Sequence, residues 1–233
     1  MPDDLKEHFL KALESDSEFS DAHLQLALIY QEERNNKSAE AHFLQAIESD
    51  NQKIMEIEKH GEKLLKNYQF QNAKDQLMKA QEKKNHCAEV HHCLAHLYQQ
   101  QNKLKKAQVC LEKSIVLNPA FAEAFRYLSI VLSEQNEYDA ARFQIEKALD
   151  LNYSDSQSHF QMGFIMKHAR EYSDAEQHFL SAMDIDPQFT ECMIALAEMK
   201  LDMKEEKEAR KYYQKARDIS PAINHPKLDK ILG

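Results

Sequence analysis

The chain has 233 residues with only 3 Gly and 5 Pro, too few turn formers for an all-β sandwich or barrel, and Gly61, Gly163 and Gly233 are too scattered to build a phosphate-cradling loop. A net charge of −9, from 30 basic against 39 acidic residues, removes the general attraction to nucleic acid or anionic membranes. The 42% hydrophobic content supports a packed core. No apolar run reaches bilayer length and the acidic start lacks the marks of a leader, so the expected location is cytoplasmic.

From the N-terminus, residues 5–16 read as a lone second helix, because Phe9 and Ala12 stand 34 residues before Phe43 and Ala46. From residue 20 the same beat runs on. Ala39, Ala73, Ala107, Ala141, Ala175 and Ala209 form one column. Four positions later come Phe43, Leu77, Leu111, Ile145, Phe179 and Tyr213, and three further on Ala46, Ala80, Ser114, Ala148, Ala182 and Ala216. An earlier column, Leu26, Leu94, Leu128, Met162 and Leu196, is followed each time by a small residue. A small side chain at a helix crossing lets a bulky neighbour approach, so such columns report paired helices. The beat divides the chain into repeats 20–53, 54–87, 88–121, 122–155, 156–189 and 190–223, preceded by the half repeat 5–16. Polar connectors (33–36, 101–103, 135–137) separate the two helices of a repeat, and Asn118-Pro119, Asp186-Pro187 and Ser220-Pro221 end repeats where proline discourages helix. Residues 224–233 supply Leu228, Ile231 and Leu232 for a short cap.

These columns resemble the tetratricopeptide repeat. Repeat 88–121 matches its pattern with Leu94, Ala95, Tyr98, Ala107, Leu111 and Pro119, and repeat 156–189 with Met162, Gly163, Ala175, Phe179, Ala182 and Pro187. The resemblance implies an all-α, right-handed superhelical solenoid of about six and a half antiparallel helix hairpins. It further implies a non-enzymatic scaffold without cofactors, taking a peptide or helical segment of a partner protein in a concave groove lined by the first helices. The second repeat departs from the pattern, with His60 in place of leucine and no closing proline. The last carries Lys200 and Glu206 at usually apolar positions, which suits a terminal repeat with one face in water. The family's clamp for chaperone tails is absent, since Leu24, Leu28, Glu58 and Glu62 stand where Lys and Asn would.

Helical geometry singles out the groove. Phe160 and Phe164 are one turn apart and sit about 200° from the core stripe of Met162 and Met166. With Arg126, Tyr127, Ile130, Lys167 and Ile194 from the flanking repeats they form the expected partner-binding patch, Arg126 and Lys167 favouring acidic flanks on the partner. Leu24 and Leu28 occupy the same face in the first repeat, where they either extend the groove or seat helix 5–16, packing being the preferred reading. The cluster His86, Cys87, His91, His92, Cys93 and His96 contains one pair, His92 and His96, spaced to share a helix face as a pH-sensitive or metal-binding pair. His91 falls in a core column, and the four cysteines (Cys87, Cys93, Cys110, Cys192) show no C-x-x-C spacing, the pattern of free thiols. Ser, Asp and His occur in no nucleophile elbow. The alternative to groove binding is a structural subunit that assembles through the solenoid ends as a homodimer.

Overall fold

The computed structural model describes residues 2–66 and 70–232. Expectations placed on the side chains of Glu58, His60, Glu62, Ala73, Leu77, Ala80, Ile231 and Leu232 fall outside the described residues. The described chain is entirely helical, without strands: α1 (Pro2–Ser15), α2 (Ser20–Glu32), α3 (Asn36–Lys66), α4 (Phe70–Gln100), α5 (Leu104–Leu117), α6 (Ala122–Glu134), α7 (Tyr138–Leu151), α8 (Ser156–His168), α9 (Tyr172–Ile185), α10 (Thr190–Asp202), α11 (Glu206–Ile219) and α12 (Asp229–Leu232). It divides into two compact units, Met1–Ala124 and Phe125–Gly233.

The alanine and bulky columns are the core of both units. Ala39, Phe43, Ala107, Leu111, Ala141, Ile145, Ala175, Phe179, Ala209 and Tyr213 are all fully buried, each large side chain contributing about 1.5–3 kcal/mol on burial. The pairing is close. A Cβ added at Gly163 would lie 2.8 Å from the Phe179 ring and 3.1 Å from the Ala175 carbonyl, which is why that column holds only small residues. Lys200 departs from the expectation of a water-facing residue. It is buried on α10, and its ammonium lies 2.7 Å from Glu176 and 2.9 Å from Glu205, so carboxylates replace the missing apolar contacts. At the C-terminus Leu228 packs into the cluster of Ala197 and Tyr213, with Ile223 against it, and Asp229 accepts the Tyr213 hydroxyl.

The turn inside each hairpin is one recurring device. Arg34, Asn102, Asn136, Arg170 and Lys204, spaced at multiples of 34, all have φ between 58 and 65°. The next residue donates its N–H to the carbonyl five back (Lys103 to Tyr98, Glu137 to Leu132, Glu171 to Met166, Glu205 to Lys200), the Schellman closure of a helix C-terminus. Between repeats a different turn operates. Asp16, Asn118, Asn152 and Asp186 each accept, on the side chain, the backbone N–H two residues on.

That second turn is missing on both sides of residues 54–87. At the equivalent position Asp50 is fully buried and its carboxylate is taken by His86 and Lys83, while Lys84, at the next equivalent position, has no side-chain acceptor for the turn. The chain therefore does not turn near residue 53 or 87, and α3 and α4 run on as helices of 31 residues each. The packing that results skips a repeat. In the C-terminal unit, neighbouring repeats touch through Lys200–Glu176 and Lys167–Glu198, pairs 24 and 31 residues apart. In the N-terminal unit the same columns touch as Tyr98–Glu40 and Gln31–His96, 58 and 65 residues apart. Both separations are longer by one repeat of 34. Repeat 88–121 thus packs on repeat 20–53, and residues 54–66 and 70–87 prolong α3 and α4.

Candidate functional site

Three of the expected groove residues meet in the C-terminal unit. Ile130 on α6 and Phe160 and Phe164 on α8 line a recess of about 230 Å³ together with Ser133, Glu134 and Gln161. All three are half-buried. α8 presents them because Asp155 caps its N-terminus, accepting from the N–H groups of Gln157 and Ser158. Met162, Ile165 and Met166 point into the core and leave 160 and 164 on the other face. Phe160 is seated against Phe189 at 5.1 Å and Phe179 at 6.0 Å between ring centres, and Phe164 against His168 at 4.6 Å. Sequence reasoning missed the polar wall. Gln161 donates 3.0 Å to Ser133, whose hydroxyl donates 2.9 Å to the Ser129 carbonyl, tying α8 to α6 beside the recess. The signal available was the offset of Gln161 from Phe160 and Phe164 along the same helix.

The other expected residues have different tasks. Tyr127 is covered by the Arg126 guanidinium, 5.1 Å from its ring centre. Arg126 Nε lies 3.2 Å from Asp155 as an ion pair, without the alignment of a hydrogen bond. Lys167 donates 3.2 Å to Glu198, which also lies 3.0 Å from His225. Both cations expected to attract acidic flanks are therefore matched by carboxylates of their own unit, and that electrostatic expectation is withdrawn. Ile194 packs toward the Ala197, Tyr213 and Leu228 cluster rather than into the recess. In the N-terminal unit, Leu24 and Leu28 are both half-buried, with α1 packed on α2.

The histidine cluster is taken up structurally. His86 hydrogen-bonds the buried Asp50 and pairs with Asp21 at 3.1 Å. The Asp50 bond holds the His86 imidazole above its usual pKa against the opposing effect of burial. Burial works to protonate Asp50, but hydrogen bonds from His86 and Ser20 and the Lys83 charge outweigh it, so the carboxyl stays below its usual range. His91 is buried, with a pKa pushed down to about 4 by burial and then by Lys113. His92 lies against the Phe121 ring at 5.3 Å, and His96 is 3.4 Å from Gln31, its pKa lowered by burial. Among the described residues no three His, Cys, Asp or Glu side chains converge as metal ligands. Burial raises the thiols of Cys87, Cys93 and Cys110 to about 11 and that of Cys192 to about 12, so they remain protonated and weakly nucleophilic near neutrality. No described helix is long and apolar enough to cross a membrane.

Two-helix repeats in a fixed register, closed by the same turn at five described positions, make this an all-α helical-repeat solenoid protein. Residues 20–53, 88–121 and 190–223 match sequence models of the tetratricopeptide repeat, and the chain belongs to the tetratricopeptide repeat family. Its fold is that of a protein-interaction scaffold, a class generally without catalysis. Similar solved structures include YrrB, a TPR protein with an unusual peptide-binding site (TM-score 0.62, 18% identity, covering 96% of each chain). The type IV pilus biogenesis factor PilW gives a TM-score of 0.71 at 19% identity, covering 92% of this chain and 86% of that one. PilF of Pseudomonas aeruginosa gives 0.52 at 19%, covering 88% and 93%. At these identities the likeness concerns the fold. No curated protein matches the chain.

Proposed function

We propose that the recess between α6 and α8 takes the apolar anchor of a peptide or helical segment from a partner protein. The observation that carries this is the pair of half-buried phenylalanines one turn apart, facing Ile130 across about 230 Å³. That space is smaller than a drug-sized ligand's site and suits one or two side chains of a longer segment. Gln161, Ser133 and Glu134 at its edge offer hydrogen-bonding groups to a peptide backbone. Because Arg126 and Lys167 are paired within the chain, apolar fit rather than charge sets the preference. The peptide-binding site of YrrB, on a similar fold, supports this reading.

The test is selection of displayed 12-residue peptides on the full chain, followed by binding to Phe160→Ala and Phe164→Ala. Selected peptides are expected to share an aromatic or aliphatic anchor and to lose about tenfold or more in affinity with either variant, while the melting temperature falls by only a few degrees. A large fall in melting temperature with peptide binding intact would make both phenylalanines core residues and end the proposal.

A further inference from the structure

The skipped repeat leaves its mark on the N-terminal unit as a trough between the first half of α3 and α5. One part, of about 540 Å³, is walled by Ile47, Val109 and Val116; an adjoining part, of about 430 Å³, by Leu44, Tyr98 and Val109. His91 and Lys113 line both. The walls carry apolar side chains into solvent: Val116 is 79% exposed, and Leu44 and Val109 are each 50% exposed.

Val116 is out of place for a solvated position. The equivalent residues of the other five repeats are Glu48, Glu82, Asp150, Asp184 and Asp218, all carboxylates. Only here is the charge replaced by a β-branched hydrocarbon, on a hairpin whose preceding repeat in sequence is not its neighbour in packing. The helix is also basic. Lys105, Lys106 and Lys113 against Glu112 give α5 a net +2 in a chain of net −9. Lys105, Lys106 and Lys113 line the trough with Glu112 as the one carboxylate among its described walls, so the lining keeps a net positive charge.

We propose that this trough docks an acidic amphipathic helix of another protein, its apolar face on Leu44, Val109 and Val116 and its carboxylates toward Lys105, Lys106 and Lys113. A helix is the fitting shape. In an unbroken register, residues 70–83 would lie beside α5 as the second helix of the preceding repeat; here residues 36–49 of α3 stand in that place, and Leu44 and Ile47 form the wall opposite Val109 and Val116. From Lys105 to Val116 the wall spans about 16 Å, or three turns. The chain's own residues 70–83 do not meet the charge requirement: Lys74, Lys79 and Lys83 against Asp75 and Glu82 leave them net positive. They are also continuous with α4, which provides the trough floor at His91 and Leu94. The surface is separate from the recess at Phe160 and Phe164, so the two readings stand or fall independently.

The test uses the full chain and a fluorescent, hydrocarbon-stapled 14-residue helix with leucine along one face and glutamate elsewhere, beside a twin carrying lysine in place of glutamate. The acidic probe is expected to bind saturably, and the twin about tenfold or more weaker. Val116→Asp, which restores the carboxylate of the other repeats at an exposed position, and Lys113→Glu are each expected to weaken the acidic probe by about tenfold at unchanged melting temperature. Phe164→Ala should leave it unaffected. Absence of saturable binding, equal binding of the twin, or indifference to Val116→Asp would each overturn the proposal. So would a concentration-dependent dimer by light scattering that Val116→Asp abolishes, because the trough would then belong to a second copy.

Discussion

Two histidines of one helix, His86 and His91, respond to pH in opposite senses. His91 is buried neutral, with its pKa pushed down to about 4. The unfolded chain therefore takes up a proton there that the native state refuses, and stability present above pH 6.5 is lost as the pH falls toward 4. Each unit of depression corresponds to about 1.4 kcal/mol, so this group alone costs on the order of 2–3 kcal/mol by pH 4. His86 is raised by Asp50, so its contribution is complete below pH 6.5 and is lost as the pH rises through its native value. Urea midpoints from pH 4 to 9 should show the His91→Met variant, whose new side chain matches Met193 in the same column, with a shallower acid limb than the wild type. A residual acid slope is expected from His42, His96, His168 and His178, whose values are also lowered. An unchanged acid limb would show that His91 is protonated in the native state. At this scale the sequence was legible where one helix decides the outcome: the spacing of Phe160 and Phe164 suffices to set them off the core stripe. It was silent where partners come from elsewhere. Nothing near Arg126 or Lys167 announces Asp155 and Glu198, 29 and 31 residues further on, yet those carboxylates decide that neither cation is available to set a ligand's charge.

Helices here are ended by backbone geometry rather than by glycine. Five non-glycine residues hold the left-handed conformation at the hairpin turn, a state that costs an L-residue about 1–2 kcal/mol, and the two hydrogen bonds of the closing turn, together with packing on either side, hold it. Arg170 is exposed at φ 62°. Replacing it with glycine should therefore stabilise the C-terminal unit by about 0.5–1 kcal/mol, after allowing for glycine's greater freedom in the unfolded chain. Urea denaturation of Arg170→Gly checks the sign, and a loss of stability would mean that the arginine stem contributes more packing than its exposure suggests. The absence of glycine is also why these turns could be located by their polar connectors but not typed from sequence. The helices themselves were plain, because alanine and bulky columns at a fixed beat leave few alternatives. The turns between repeats were less so. Proline marks those at Pro119 and Pro187, but the operative group is the side-chain acceptor one residue earlier, which serves equally at Asn152 ahead of Tyr153.

The same acceptor explains the largest feature of the molecule. Asp50 has the right side chain for a turn, and a distant histidine and lysine occupy it instead, so a repeat that is regular by its columns is not stacked as one. No local pattern could reveal this, since the competition is between Asp50 and residues 33 and 36 positions away. The skip makes a direct claim about which residues are neighbours. Tyr98 donates 2.8 Å to Glu40; were repeat 54–87 stacked between them, an entire hairpin would separate the two. A double-mutant cycle on Glu40→Gln and Tyr98→Phe in the full chain should therefore give a coupling of about 1.5–3 kcal/mol, the range for a hydrogen bond to a charged acceptor. Excision of residues 51–84 joins Asp50 to Asn85 in the register of Asp186 and Pro187. It should give a shorter chain that keeps that coupling and the buried column of Ala39, Phe43, Ala107 and Leu111, with a loss of helical signal by circular dichroism matching the removed residues. A coupling near zero in the full chain that appears only after the excision would place repeat 54–87 inside the stack, and the trough walled by α3 and α5 would then not exist in the full chain.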